Sequence, residues 1–271
     1  MANSMYQSSN NLNNSIMSIL IRSNKVITAG GKVLARPEPS PLDLSNLKLY
    51  LSATRMPQYA DGTAVPSFLD YSGNNYNATQ ATTSLQPLFK TNQFGVNAGV
   101  SFDAVDDILS LTGGALDIFK NINQFTVQSL VKRSVISTNA SIIQFTQGGS
   151  AYSRFVMQFT TTGIQVAVRM LDATTTAVSV LVPSNDLNAH LVQCTAISNV
   201  LYVYVDGVLS GSTTMDSATS SNTSSTNAYV GSQPTGAGGS AIINAISINQ
   251  LFSSNTTLQA QYRGYLQRGY L

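Results

Sequence analysis

The 271-residue sequence contains no tryptophan, one histidine and one cysteine. Glutamate also occurs once, as Glu38. Each scarcity removes a class of protein. Cys194 has no second cysteine to pair with, so a disulfide framework is excluded. It lies in the apolar run LVQCTAI and reads as a small buried hydrophobe. A lone histidine and a lone cysteine make no ligand set for zinc. Charged residues are 10% of the chain, the net charge is +2, and no block of like charge occurs. A nucleic-acid footprint needs clustered Lys and Arg, so nucleic acid is not an expected partner. No stretch approaches the ~20 apolar residues of a membrane helix. The opening residues, MANSMYQSSNNLNNS, lack the basic segment of a signal peptide. The expectation is a soluble product with neither leader nor membrane span.

Apolar residues make up 43% of the chain, too many for a disordered one. Asn, Ser, Thr and Gln fill most polar positions, which predicts a polar, weakly charged surface. Five N-x-S/T sequons, at Asn13, Asn77, Asn139, Asn222 and Asn255, are expected by chance in such a composition. Residues 1–45 differ from the rest. A polar, Asn-rich start precedes short β-like runs at Ile16–Ile21, Lys25–Thr28 and Lys32–Ala35, with a Gly30-Gly31 turn. Pro37, Pro39 and Pro41 then predict an extended, semi-rigid linker. This segment reads either as an arm that docks on another protein by strand addition or as strands covering the edge of the main domain.

From about Asp43 the pattern is strand after strand. Leu47, Leu49 and Leu51 alternate with period two. Gly99–Leu111, GVSFDAVDDILSL, runs from an apolar strand through an acidic corner (Asp103, Asp106, Asp107) into a second strand. Short polar side chains of this kind hold turns by bonding nearby backbone. Further strands are expected at Gln124–Val131, Ser141–Thr146, Arg154–Thr160, Gly163–Met170, Ala177–Val182, His190–Ile197 and Ala241–Leu251, and Tyr229-Val230-Gly231 opens another. Ser67–Asn77 and Ser217–Asn227 read as loops. Val200–Ser212 is the clearest hairpin, with Asp206-Gly207 at its turn. Only Thr256–Leu271 looks helical, with Leu258, Tyr262 and Leu266 on one face. About a dozen short strands without βαβ alternation predict an antiparallel sandwich or barrel.

The residues offer little catalytic chemistry. Glycosidases generally set two carboxyl groups across the scissile bond, whereas Glu38 sits in the Pro-rich linker and the three corner aspartates mark a turn. Asp70, Asp103, Asp106 and Asp107 are the calcium candidates, since calcium favours several oxygen ligands. No other cofactor is expected. His190 opens an apolar strand and reads as a structural histidine, because a Ser-His-Asp triad is defined by geometry. Tyr59, Tyr71, Tyr76 and Tyr152 fall in expected loops, where an apolar face with a polar tip suits a sugar ring, a protein interface or ordinary packing.

Several blocks together resemble the concanavalin A-like lectin/glucanase superfamily, specifically its laminin-G-like (LamG) branch. They are LKLYLSA (47–53), DGTAVPSFLDYSGNNYNATQ (61–80), GVSFDAVDDILSL (99–111), FTVQSLVKRS (125–134), LYVYVDGVL (201–209), AYVGSQ (228–233) and the terminal LQAQYRGYLQRGYL. The resemblance spans about residues 46–271. It implies an antiparallel jelly-roll β-sandwich with an extended N-terminal arm and a short C-terminal helix, and it adds weight to calcium. Ala104 stands where that family commonly has glycine, and tryptophans usual in the family are missing.

Two functional readings follow. The first is a non-enzymatic structural protein of a virion surface: a phage capsid decoration, head fibre or tail appendage. Residues 1–45 would dock on other virion proteins and the sandwich would face outward. The alternative is a glycan-binding adhesin or receptor-binding module for host or environmental polysaccharide. A homo-oligomer is expected in either case, although no heptads of a trimeric stalk occur.

Overall fold

The computed structural model describes residues 46–271 except 104, 137–138, 148–152, 174–176, 185 and 232–239. It also describes two short strands nearer the N-terminus. The chain divides into two units, Met1–Pro39 and Ser40–Leu271. In the first, β1 (Val26–Ile27) and β2 (Val33–Leu34) pair antiparallel, inside two of the expected β-like runs. The Asn-rich start, the run Ile16–Ile21 and the Pro-rich stretch lie outside the described residues.

The second unit is a sandwich of antiparallel sheets. Its first strands are β3 (Leu47–Ser52), β4 (Ser67–Phe68), β5 (Ala78–Thr79), β6 (Leu88–Phe94), β7 (Asn97–Ser101) and β8 (Ile108–Leu111). β9 (Gln124–Arg133), β10 (Ala140–Thr146), β11 (Ser153–Thr160), β12 (Gly163–Val168) and β13 (Val178–Pro183) follow. The chain continues through β14 (His190–Ile197), β15 (Val200–Val205), β16 (Val208–Thr214), β17 (Asn227–Gly231) and β18 (Ala241–Asn249), then the helix α1 (Asn255–Gln267). One sheet has the order β13-β12-β11-β10-β17-β8-β5-β4. The other has the order β16-β15-β14-β9-β18-β7-β6, and β3 also pairs with β18.

The acidic corner is a crossing between layers. β7 ends in one sheet and β8 begins in the other, so Asp103–Asp107 carries the chain from sheet to sheet. The Asp206-Gly207 turn forms as expected: both residues have positive φ (53° and 74°), the geometry that lets a two-residue loop follow strand twist. Between the layers Phe119 acts as a wedge. Its ring stacks on Phe155 (4.9 Å, 10°) and meets Phe125 and Phe145 edge-on (5.3 Å and 4.9 Å). Phe125 belongs to one sheet, Phe145 and Phe155 to the other, so one ring ties both layers by offset and edge contacts.

Two expectations need correction, and one strand was not expected. The stretch Ser67–Asn77 begins with strand β4 rather than being loop throughout. β6, LFKTNQF, is a strand that its polar centre conceals; it lies at a sheet edge and buries little beyond Phe89 and Phe94. In α1 the buried face is Leu258, Gln261, Gly264 and Tyr265, while Leu266 is exposed. The helix lies against a mixed sheet face, apolar at Leu130, Leu191 and Ile242 and polar at Gln128 and Gln193, so burial does not follow apolar spacing alone. Gln193 of β14 donates to Gln128 Oε1 (2.8 Å) and to the Leu258 carbonyl (3.2 Å). The Thr126 and Thr195 hydroxyls bond each other (3.0 Å), and both accept from Ser253 N. Part of the uncharged polar composition is therefore interior, and only partly satisfied: Gln128 Nε2, Gln193 Oε1 and both Gln261 amide atoms are buried without a hydrogen-bond partner among the described residues.

Gly231, at the end of β17, has φ +90°, and a Cβ there would sit 2.1 Å from the Phe102 ring. Gly73 has a similar φ, +94°, with open space around it. Gly231→Ala is expected to destabilise the fold by about 2–4 kcal/mol, backbone strain plus overpacking. Gly73→Ala is expected to cost about 1–2 kcal/mol, strain alone. Denaturant unfolding of both variants checks the difference; equal losses would refute the packing contribution.

Candidate functional site

A cavity of about 370 Å³ opens where β18 changes partner. On one flank β18 pairs with β9 throughout. On the other it pairs first with β7 (Ile242↔Ser101, Ile243↔Val100) and then with β3 (Ala245↔Ser52 to Asn249↔Leu47). Asn244 falls between the two partners, at a register shift. Its buried amide donates to the Ala98 carbonyl (2.6 Å) and to Thr54 Oγ1 (2.9 Å), tying the diverging strands. Beyond Ser52 the chain leaves the sheet in a 3-10 turn, Ala53–Arg55, which carries Thr54 and Arg55 to the cavity. Ser52 and Asn244 are its buried polar residues, and Tyr50 is a largely buried wall.

The opposite wall comes from the C-terminus. Ser254 caps α1 by accepting from Thr257 N (3.3 Å). At the other end Gly269 has φ +69°. Gly269 N donates to the Leu266 carbonyl (3.0 Å) and Tyr270 N to the Tyr265 carbonyl (3.1 Å). This is the paired bond pattern that closes a helix with a left-handed glycine. It folds Tyr270 back onto Tyr265, with ring centroids 5.3 Å apart and planes at 81°. Arg268, the residue before the glycine, sits 5.2 Å from the Tyr265 ring and 6.0 Å from the Tyr270 ring. Across the cavity Arg55 lies 5.7 Å from the Tyr50 ring and 5.5 Å from the Tyr71 ring.

The lining residues are Tyr50, Ser52, Thr54, Arg55, Asn244, Tyr265, Arg268 and Tyr270, with no acid among them. Arg55 and Arg268 are exposed at the rim. Among the described residues neither guanidinium has a carboxylate or carbonyl partner. The buried arginines contrast with them. Arg154 donates to the Phe119 and Ser221 carbonyls (3.2 and 3.3 Å) and pairs with Asp172. Arg133 donates to the Thr160 carbonyl (2.7 Å) and to Ser184 O. Burial pushes the Tyr265 phenol up, so it remains a neutral hydrogen-bonding hydroxyl.

The sequence-selected residues fall elsewhere or behind this cavity. Asp70 holds its own loop: Oδ1 accepts from Tyr50 N (2.8 Å) and Ser72 N (2.9 Å), Oδ2 from Ser72 Oγ (2.8 Å) and Tyr76 N (2.9 Å). Asp103, Asp106 and Asp107 come together, one carboxylate oxygen of each within 4.8 Å of the others. Asp103 Oδ1 accepts from Val105 N (2.8 Å) and Asp107 Oδ2 from Asp103 N (2.9 Å). Burial, reinforced by the neighbouring Asp103 and Asp106 charges, pushes the Asp107 carboxyl up to about 6. Of the loop tyrosines, Tyr71 backs Arg55 and donates to its carbonyl. Tyr59 tilts against Phe89 (5.9 Å) and Tyr76 packs on the core. Tyr152 lies outside the described residues. Arg55, Arg268 and Tyr270 were not singled out by sequence; the R-G-Y order just past a helix, with glycine in the capping place, is the signal that points to the last two.

His190 lies between two carboxylates. Nδ1 is 2.8 Å from Asp206 Oδ2, and Nε2 is 3.1 Å from Asp186 Oδ1 and 3.4 Å from Ser184 Oγ. The nearer Asp186 holds the nitrogen that a base would need for Ser184, so the ring bridges two acids in place of activating a nucleophile. The Asp206 hydrogen bond, opposed by burial and supported by Asp186, raises the His190 pKa.

No family model matches the sequence, and no curated protein matches it. Solved structures do match in shape. The botulinum neurotoxin serotype D binding domain aligns with TM-score 0.56 at 15% identity, over 81% of this chain and 52% of that one. The serotype D ligand binding domain in complex with N-acetylneuraminic acid gives 0.57 at 16%, over 81% and 51%. Trypanosoma rangeli sialidase gives 0.57 at 14%, over 95% and 38%. The chain thus spans about half the length of the toxin domains. At this identity the likeness establishes the fold alone: an all-β antiparallel sandwich. Among the described residues no helix is long and apolar enough to cross a membrane.

A histidine whose pKa is raised in the folded state stabilises fully below its unfolded value near 6.5, and that stability is lost as pH rises through the folded value. The urea midpoint is therefore expected to fall as pH rises above about 6.5. His190→Gln is expected to flatten that change. An unchanged slope in the variant would refute the assignment to His190.

Proposed function

We propose that this chain is a non-catalytic carbohydrate-binding module of the laminin-G-like kind, and that the cavity at the β18 fork is its sugar site. The observation that carries the reading is the cavity itself. Tyrosine walls (Tyr50, Tyr265, Tyr270) enclose the buried polar residues Ser52 and Asn244. Aromatic faces with a few convergent hydrogen-bonding groups are the usual make-up of a small-ligand pocket. The sandwich fold shared with a sialic acid-complexed toxin domain supports it. Binding without catalysis is supported by two features: the cavity lining holds no carboxyl pair, and His190 is bridged by two acids.

The virion-surface reading, with residues 1–45 as a docking arm and the sandwich as residues 46–271, rests on sequence alone; the comparisons favour the glycan-binding alternative. Calcium, if used, would be held by Asp103, Asp106 and Asp107, whose oxygens suit a hard cation. Both Asp70 oxygens are already occupied, by Tyr50 N of β3 and by donors of its own loop.

The test is binding of the full chain to a broad glycan panel, with calcium and with chelator. Specific binding is expected, and Tyr270→Ala is expected to weaken it about 2–10-fold through loss of one aromatic wall. Absence of binding by folded protein would overturn the reading. Loss on chelation would support calcium at the acidic corner.

A further inference from the structure

The cavity is one-sided in charge. Arg55 and Arg268 reach it from opposite ends of the domain sequence, one from the turn after β3, the other from the cap of α1. No aspartate or glutamate lines it. Each guanidinium is flanked by tyrosine rings at 5.2–6.0 Å. Ring faces attract and orient a guanidinium without occupying its N–H edge. Both side chains are thus held in place with their donors unpaired among the described residues, while Arg133 and Arg154 have theirs filled by carbonyls and Asp172. Guanidinium forks of this sort match a planar carboxylate by paired N–H bonds.

We infer that the ligand of this cavity is a carboxylated sugar, its acid group read by Arg55 and Arg268 and its ring by the tyrosine walls. This rests on the glycan-binding reading above and specifies it. The volume, about 370 Å³, is near the small end of ligand pockets and suits a terminal sugar residue more than a long stretch of polymer. Ser52, Thr54 and the Tyr265 hydroxyl supply neutral polar contacts for ring hydroxyls.

The test titrates the full chain with matched oligosaccharides: one ending in a sialic acid, one in a hexuronic acid, one with the carboxyl reduced to an alcohol, and one sulfated in its place. Arg55→Gln, Arg268→Gln and the double variant are titrated in parallel. At least one carboxylated form is expected to bind about tenfold or more tightly than the reduced and sulfated forms. Each single variant is expected to lose about tenfold for it, with an unchanged thermal midpoint because both side chains are exposed. The double variant is expected to bind the acidic and reduced sugars alike. Equal binding of the reduced sugar, equal binding of the sulfated one, or unchanged affinity in the arginine variants would overturn the carboxylate assignment and leave the glycan reading standing. No binding of any sugar would overturn both.

Discussion

The change of partner along β18 is the constraint on which the site depends. β18 is buried along its whole length, so each of its backbone groups needs a partner. β9 supplies one flank, and the other is divided between β7 and β3. Two strands cannot occupy one flank at the same height, so they part at Asn244. A gap beside a buried strand would leave polar groups unpaired. The Asn244 amide closes part of it by bonding Ala98 and Thr54. What remains is a cavity with a hydrogen-bonded floor, present before any ligand arrives. Preformed sites of this kind avoid the ordering cost that flexible ones incur on binding.

The C-terminal helix completes that arrangement and serves the fold as well. It covers a mixed sheet face, where Gln193 bonds Gln128 and the Leu258 carbonyl while Leu130, Leu191 and Ile242 pack with Tyr265. Such a face is specific, because each buried polar group tolerates only certain neighbours. The glycine cap then reverses the chain at a fixed angle, and Tyr270 and Arg268 arrive at the cavity as a consequence of helix termination. Structural and binding roles are joined in the last few residues.

The acidic corner shows a different division of labour. Its carboxylates accept from nearby backbone N–H groups and carry the chain between sheets. Burial of Asp107, with the Asp103 and Asp106 charges beside it, pushes its carboxyl up. Asp70 is more completely used, with four donors on one carboxylate. The turn chemistry that makes these residues conspicuous in a sequence is chemistry directed at their own backbone.

Strands with period-two alternation, the Asp206-Gly207 hairpin and the acidic corner were all legible in the sequence, because their physics is local: side-chain alternation, positive φ at a turn, and short-range capping. So was the fold class. β6 escaped since an edge strand with one buried flank needs few apolar residues, and the helix face was misjudged since its contact surface is partly polar. The cavity was beyond local reading. Arg55 and Arg268 are far apart in the chain, and neither sits in a pattern that marks binding. Only the pairing of β18 with successive partners, and the docking of α1 beside it, brings them to one opening. Sequence alone determined that this chain is a weakly charged, all-β sandwich with a C-terminal helix. Tertiary structure decided where Arg55 and Arg268 meet, because long-range strand pairing, unlike turns and alternation, is set by the whole sheet.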